Sequence, residues 1–265
     1  MAGMEAYAFA EPFAHTVIDQ FLPSDVANEL LAHFPAEAKP HDKNYEKGYG
    51  GQFKRQISPY GCDVWMQSAF AFFNSPAMLA FLEGLTNIKG LIPDPYFAGG
   101  GLHEISTGGM LGIHADFQVN EALQLRRRIN VLIYLNKDWK PEYGGELELW
   151  DKTMQQKVKS VAPLFNRCVI FNTDCDSFHG HPDPLTTPPD VTRKSIALYY
   201  YTAQAIENAV GESRHTLYVA RPNDTPENIA QAKKLAAKRE KRAKKMHAEN
   251  TTGIINKLKK LFGSW

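Results

Sequence analysis

Cysteine is scarce: the 265 residues hold three, Cys62, Cys168 and Cys175. They are too few and too irregularly spaced for a disulfide framework or a Cys-based zinc site. No run of about eighteen apolar residues occurs, so no segment is suited to cross a bilayer as a helix. The opening, Met1 to Ala10, lacks a basic stretch followed by an apolar one. No secretory signal is therefore expected, and a reducing cytoplasm is the expected location. Charge of a single sign is missing as well. Thirty Lys and Arg face 29 Asp and Glu, a formal net charge of +1, which leaves no global field to attract nucleic acid. No internal repeat is apparent.

What is present suits a folded catalytic unit. A hydrophobic fraction of 43% and an aromatic fraction of 11% supply a sizeable core, and the length fits one domain with an appendage. The balanced total hides an asymmetry. Residues 233–260 carry eleven Lys or Arg and two Glu, so the remainder is acidic. The expected division is a catalytic domain over residues 1–220 and a basic helical C-terminal extension over 221–265.

Along the chain, apolar spacing predicts a helix over 25–34 behind an N-capping Ser24, then helices over 62–73 and 76–85. Between them, residues 39–61 are rich in Lys, Tyr, Gly and Gln without sustained period. They read as a long loop, either a lid offering Tyr45, Tyr49, Arg55 and Tyr60 or an ordinary solvated loop. From Phe97 the pattern becomes short strands, over 102–106, 129–135, 146–150, 158–161, 168–172 and 195–202. Helices first and strands after predict an α+β fold. Its core is a double-stranded β-helix (jelly roll), with the N-terminal helices packed on it and a helical tail behind.

The chemistry-bearing residues begin with His114-Ala115-Asp116, just after the predicted glycine turn Thr107-Gly108-Gly109. On a strand, residues i and i+2 share a face, so the imidazole and the carboxylate can converge on one ion. One further imidazole completes the two-His-one-carboxylate set that holds Fe(II) and leaves coordination positions open. A lone His-x-Asp equally fits a surface turn. Two histidines, His179 and His181, follow the strand ending near Asn172, in what reads as a loop. Arg193 then opens the apolar strand that ends in Tyr199-Tyr200-Tyr201. A guanidinium at the mouth of a buried strand needs an anionic partner, and a dicarboxylate co-substrate meets it in a two-point fork. Ser195, two residues on, shares that strand face.

The order of these elements resembles the prolyl-4-hydroxylase-like branch of the Fe(II)/2-oxoglutarate-dependent oxygenases. It is carried by His114-Ala115-Asp116, Tyr134-Leu135-Asn136, Gly144-Gly145-Glu146-Leu147, His179 and Arg193, with Phe21-Leu22-Pro23-Ser24 as a similar N-terminal entry. It spans roughly residues 12–203. The resemblance implies His114, Asp116 and His179 as iron ligands. Arg193 would bind the distal carboxylate of 2-oxoglutarate, joined by Tyr134 and Ser195, with Asn130 lining the same pocket. His179 is preferred to His181 because its distance from the strand at Phe171 matches the family's. Two departures stand out: His181 competes, and a Thr- and Pro-rich insertion lengthens the path to Arg193.

The implied cofactor is Fe(II), with 2-oxoglutarate and O2 as co-substrates and succinate and CO2 as products. In the family an Asp at position 116 disfavours halogenation and points to hydroxylation, while desaturation, epimerisation and ring closure stay open. The expected substrate is a small molecule or a carrier- or glycan-linked group. A prolyl-type protein hydroxylase and a non-catalytic metal-binding jelly roll are the alternatives. His103 either faces the pocket or is a satisfied structural histidine. In the tail, Ile254, Leu258, Leu261 and Trp265 form an apolar stripe on a basic helix. It is expected either to pack on the enzyme or to dock on a membrane surface or a partner protein. No nucleic-acid partner is expected.

Overall fold

The computed structural model describes residues 2–203 and 215–262, with side chains described as far as Lys244. The chain begins with α1 (Ala2–Ala8), β1 (His15–Ile18) and α2 (Ser24–Ala32), followed by the hairpin β2 (Lys43–Tyr45) and β3 (Gln52–Ile57). Then come α3 (Val64–Phe73), α4 (Pro76–Thr86), β4 (Leu91–Pro93), β5 (Gly101–Ala115), β6 (Val119–Asn120) and β7 (Leu125–Tyr134). The second half holds β8 (Leu147–Trp150), β9 (Lys157–Val161), β10 (Cys168–Asn172), β11 (His179–His181) and β12 (Arg193–Thr202). It closes with β13 (Leu217–Tyr218) and α5 (Pro226–Phe262).

The strands are joined in the order β1-β10-β7-β12-β5-β11-β8-β9. The fifteen-residue β5 belongs to both layers. Its first half pairs with β12, from Ala197 opposite Gly101 to Arg193 opposite Ile105. Its second half pairs with β11, His179 opposite His114. The outcome is the expected jelly roll. Its two layers are β1-β10-β7-β12-β5 and β5-β11-β8-β9, with β3 added on the free side of β5.

Period-two alternation sorts the first layer. Ile129, Val131 and Ile133 of β7, Cys168 and Ile170 of β10, and Ile196, Leu198 and Tyr200 of β12 face the helices. There they pack on Leu30, Met66, Phe70, Phe73 and Leu82. Each large side chain buried this way contributes about 1.5–3 kcal/mol. The opposite face of the same strands carries Asn130, Leu132 and Tyr134, and Arg193, Ser195, Ala197 and Tyr199, all lining an internal cavity.

Several sequence expectations are corrected. The 39–61 segment is a hairpin: its β3 pairs with β5 along Gln52 to Ile57. It was unreadable as a strand because its inward residues face a polar cavity. The glycines at 108 and 109 lie within β5, where Gly108 at φ 76° bends it. A Cβ at Gly109 would meet the Ser106 carbonyl oxygen at 2.7 Å. The bend is clamped by Leu185, which accepts from Gly108 N at 2.8 Å and donates to Gly109 O at 3.0 Å. The Thr- and Pro-rich insertion is therefore a brace. His179 and His181 lie on a strand instead of a loop. Ser24 is the first helical residue of α2, with no capping bond from its side chain. Asp63 and Ser75 cap α3 and α4, their side chains accepting from Met66 N and Met78 N. The helical tail runs unbroken through Thr251-Thr252-Gly253.

The first turns of α5 belong to the body. Ala232 is buried against Tyr49 and Met110, and Gln231 Oε1 accepts from Tyr49 N at 2.7 Å. The apolar stripe expected at Ile254, Leu258, Leu261 and Trp265 lies outside the described residues. No helix among the described residues is long and apolar enough to cross a membrane.

Candidate functional site

Cross-strand register brings the two imidazoles together. His179 sits directly opposite His114, with ring centroids 4.4 Å apart. Gly180 permits this approach, since a Cβ there would meet the carbonyl oxygens of Gly112 and Leu111 at 2.7 and 2.8 Å. His114 Nδ1 lies 2.9 Å from Gly112 O, and His179 Nδ1 lies 2.9 Å from Ser177 O. A carbonyl only accepts, so each Nδ1 carries the proton and each Nε2 keeps its lone pair free. Asp116 completes the cluster. Its carboxylate oxygens lie 3.7 Å from His114 Nε2 and 3.5 Å from His179 Nε2. The three donor atoms fall within 4.8 Å of one another.

The electrostatics keep this donor set deprotonated. Burial, then the neighbouring His179, pushes His114 down to about 3, and burial lowers His179 too. For Asp116 burial acts upward, but Arg127 and the two imidazoles overcome it and hold the carboxyl well below the usual range. Arg127 Nη2 lies 3.0 Å from Asp116 Oδ2, and Asn130 Nδ2 donates to the same oxygen at 2.7 Å. Arg127 also donates to Asn130 Oδ1 at 3.0 and 2.6 Å and lies 3.5 Å from the Tyr199 ring centroid. Its side chain is 1% exposed.

The other expected residues gather on the same cavity, of about 170 Å³. Arg193 donates from Nε to Gly145 O at 2.8 Å and from Nη2 to the Tyr134 hydroxyl at 3.4 Å. It makes no ion pair among the described residues. Ser195 is the cross-strand partner of Tyr134 and lines the wall. Asn130 lines it too, but its amide is tied to Asp116, away from the Arg193 end. His181 is buried on the wall and outside the three-donor cluster. His103 faces the cavity while its Nε2 bonds Gly99 O at 3.1 Å. Of the four lid candidates only Tyr45 reaches the cavity. Tyr49 is buried under Val219 and Asp224, Arg55 pairs with Glu104 and Asp42, and Tyr60 is 63% exposed.

Sequence reasoning missed Arg127, Lys54 and Gln56. Arg127 is the middle of three consecutive arginines, just ahead of the strand expected over 129–135. A bulge between Ile129 and Arg127, where the register with β12 slips, turns it inward. Lys54 and Gln56 were hidden in the segment read as a loop.

The donor set fits a ferrous ion: two neutral imidazoles and an ionised carboxylate, with no thiolate, suit Fe(II) while leaving positions open. The unpaired Arg193 fits a dicarboxylate beside it. Residues 100–201 match the family model described as the 2OG-Fe(II) oxygenase superfamily. Over that span the chain is similar to a 2OG-Fe(II) oxygenase domain. A domain of this kind works with Fe(II) and 2-oxoglutarate. Over 79 residues the chain is 35% identical to the prolyl 3-hydroxylase OGFOD1 of Mus musculus. That match covers 28% of this chain and 14% of the mouse protein. A prolyl-4-hydroxylase of Pseudomonas putida superposes with a TM-score of 0.52 at 20% identity, over 76% of this chain and 97% of its own. The latter likeness is one of fold.

Proposed function

We propose that His114, Asp116 and His179 hold the iron, and that Arg193, with Tyr134 and Ser195, binds the distal carboxylate of 2-oxoglutarate. The reaction is hydroxylation of an unactivated C–H bond in a small molecule or a carrier- or glycan-linked group. The observation that carries this reading is the convergence of three deprotonated donor atoms within 4.8 Å on a cavity that also holds an arginine without an ion-pair partner. Bound iron and 2-oxoglutarate would activate O2, one oxygen atom going to succinate as CO2 leaves and the other to the C–H bond.

The chain's own residues do the positioning. The Gly112 and Ser177 carbonyls fix the tautomer and direction of each imidazole, while Arg127 and Asn130 fix the carboxylate. Arg193 is held by Gly145 O, leaving its remaining N–H groups for a two-point pairing with a carboxylate. Ile105, Leu111, Leu132 and Leu147 line the walls and keep water sparse around the reacting carbon. With Asp116 available as a ligand, no coordination position is ceded to a halide, which supports hydroxylation as the outcome.

Oxygen uptake and succinate release on adding Fe(II) and 2-oxoglutarate test the reading. D116A and H179A variants that still fold but keep wild-type iron binding would overturn the ligand assignment. A second reading, hydroxylation of prolyl or other residues in a protein, is favoured by the 35% identity to the mouse prolyl 3-hydroxylase. Succinate release across a peptide panel and a metabolite panel separates the two. We assign catalysis to residues 1–220 and regard 221–265 as a basic extension whose first turns brace Tyr49 and whose remainder docks on a membrane surface or a partner. The free cysteines Cys62, Cys168 and Cys175 support work in a reducing cytoplasm.

A further inference from the structure

We propose that Lys54, with His181 beside it, forms a second anion seat in the cavity, so that the molecule oxidised carries a carboxylate or phosphate group. The inference rests on the iron and 2-oxoglutarate assignments above and extends them to the substrate class.

Register puts Lys54 in the right row. Ile105 of β5 pairs with Arg193 on one side and with Lys54 on the other. The side chains of all three face the cavity. The next row, Ser195, His103 and Gln56, faces it as well. Arg193 and Lys54 therefore stand on neighbouring strands with a single apolar residue between them. Lys54 makes no hydrogen bond or ion pair among the described residues. Its ammonium lies 5.4 Å from the Tyr45 ring centroid, at the edge of a useful cation–π contact.

Charge counting then asks for an anion. The ionisable residues on the wall that carry charge at neutral pH are Lys54, Arg127, Arg193 and Asp116. Arg127 and Asp116 neutralise each other. Iron(II) and the 2-oxoglutarate dianion also cancel as a pair. Two positive charges remain in a largely buried space, and an excess of that kind is costly in low dielectric unless a counter-charge enters. Arg193 has the distal carboxylate as its local partner. Lys54 has none, so the third molecule to enter is the one that supplies the anion.

His181 provides the second, independent sign of an absent ligand. It is 4% exposed, and neither Nδ1 nor Nε2 has a hydrogen-bond partner among the described residues. A buried polar group left so is expensive and usually awaits a partner. Its ring lines the same cavity as Lys54, where an imidazole N–H can be offered to an oxyanion.

The test uses full-length protein loaded with Mn(II) and 2-oxoglutarate, which does not turn over. Calorimetric titration with propionate, methyl phosphate and the neutral propionamide compares wild type with K54M and K54R. Separate titrations measure 2-oxoglutarate binding. The expected result is that wild type takes at least one oxyanion and K54M binds it roughly tenfold or more weakly, the worth of one charge-assisted hydrogen bond. K54R should restore most of the affinity, and the 2-oxoglutarate affinity of K54M should stay within about threefold of wild type. The stronger of the two anions names the substrate group. Three results overturn the proposal: no oxyanion binding to wild type, equal binding to K54M, or a K54M defect confined to 2-oxoglutarate. R193M keeping wild-type 2-oxoglutarate affinity would instead sink the co-substrate assignment, a failure read on a different variant.

Discussion

The cavity has two kinds of wall, and they differ in how far the chain satisfies its own polar atoms. At the His114–Asp116–His179 wall each Nδ1 has a backbone carbonyl, and Asp116 Oδ2 has both a guanidinium and an amide. Elsewhere on the cavity His181 has no hydrogen-bond partner, and Lys54 and Arg193 make no ion pair among the described residues. The first wall is complete as a ligand scaffold before any metal arrives. The second is incomplete until an anion arrives. Preorganisation marks where the protein must hold a small ion to within fractions of an ångström. Unsatisfied polarity marks where molecules come and go.

The contrast breaks most severely at a ligand. D116A should lose iron affinity by more than the roughly 10- to 100-fold expected for an outer partner, with succinate release falling alongside, as measured by metal titration and product assay. R193M should weaken 2-oxoglutarate binding by about 2–5 kcal/mol while iron binding changes little. Next in size is R127M, which leaves all three donors in place and should cost roughly 10- to 100-fold in iron affinity through a loosened Asp116.

G145A probes the support under Arg193. Gly145 has φ 76°, and a Cβ there would strike Leu185 and approach Arg193 Cδ at 3.1 Å. The Michaelis constant for 2-oxoglutarate should rise, with stability falling by about 1–3 kcal/mol. Smallest is H181L, which removes an unsatisfied imidazole. The metal-free protein should melt at the same or a higher temperature, whereas N130L should lower it, because that amide is bonded on both sides.

Acid stability follows from the same walls. His103, His114, His179 and His181 all have folded-state values below their ordinary one, burial being the largest cause in each. The unfolded chain therefore binds more protons below pH ~6.5, and stability falls as pH drops through that range, by up to about 1.4 kcal/mol per pH unit for each such group. Metal-free protein melted from pH 7 to 4 should display this slope, and H181L should flatten it by one group.

Much of the first wall was legible in the sequence. His114 and Asp116 are two apart on a strand, and their order with His179 and Arg193 fits a jelly roll. Ser195 followed from Arg193 by alternation and Tyr134 from the family resemblance, and the structure makes the two cross-strand partners. The Lys54 side of the second wall was not legible. Lys54 and Gln56 alternate with Arg55 and Ile57, but hydrophobic periodicity detects strands by their apolar face. A strand that turns Lys and Gln inward to a polar cavity inverts that signal. Arg127 was lost to a bulge, which reverses alternation at one point and leaves no mark in composition. The strand character of 179–181 was hidden by its brevity. The long helix runs on through 251–253 across a local Thr-Thr-Gly signal, which is a weak stop beside helix formers on both sides.

β5 is touched by partners drawn from both halves of the chain. Residues 52–57 lie along one edge, 193–197 and 179–181 along the other, and 217–218 join at its end. Almost none of its pairing is local, so a nascent chain has no half-built version of the pocket to offer an ion. Competence to capture iron thus arrives late and all at once, and ferrous uptake during refolding would serve as a clock for the last step of assembly.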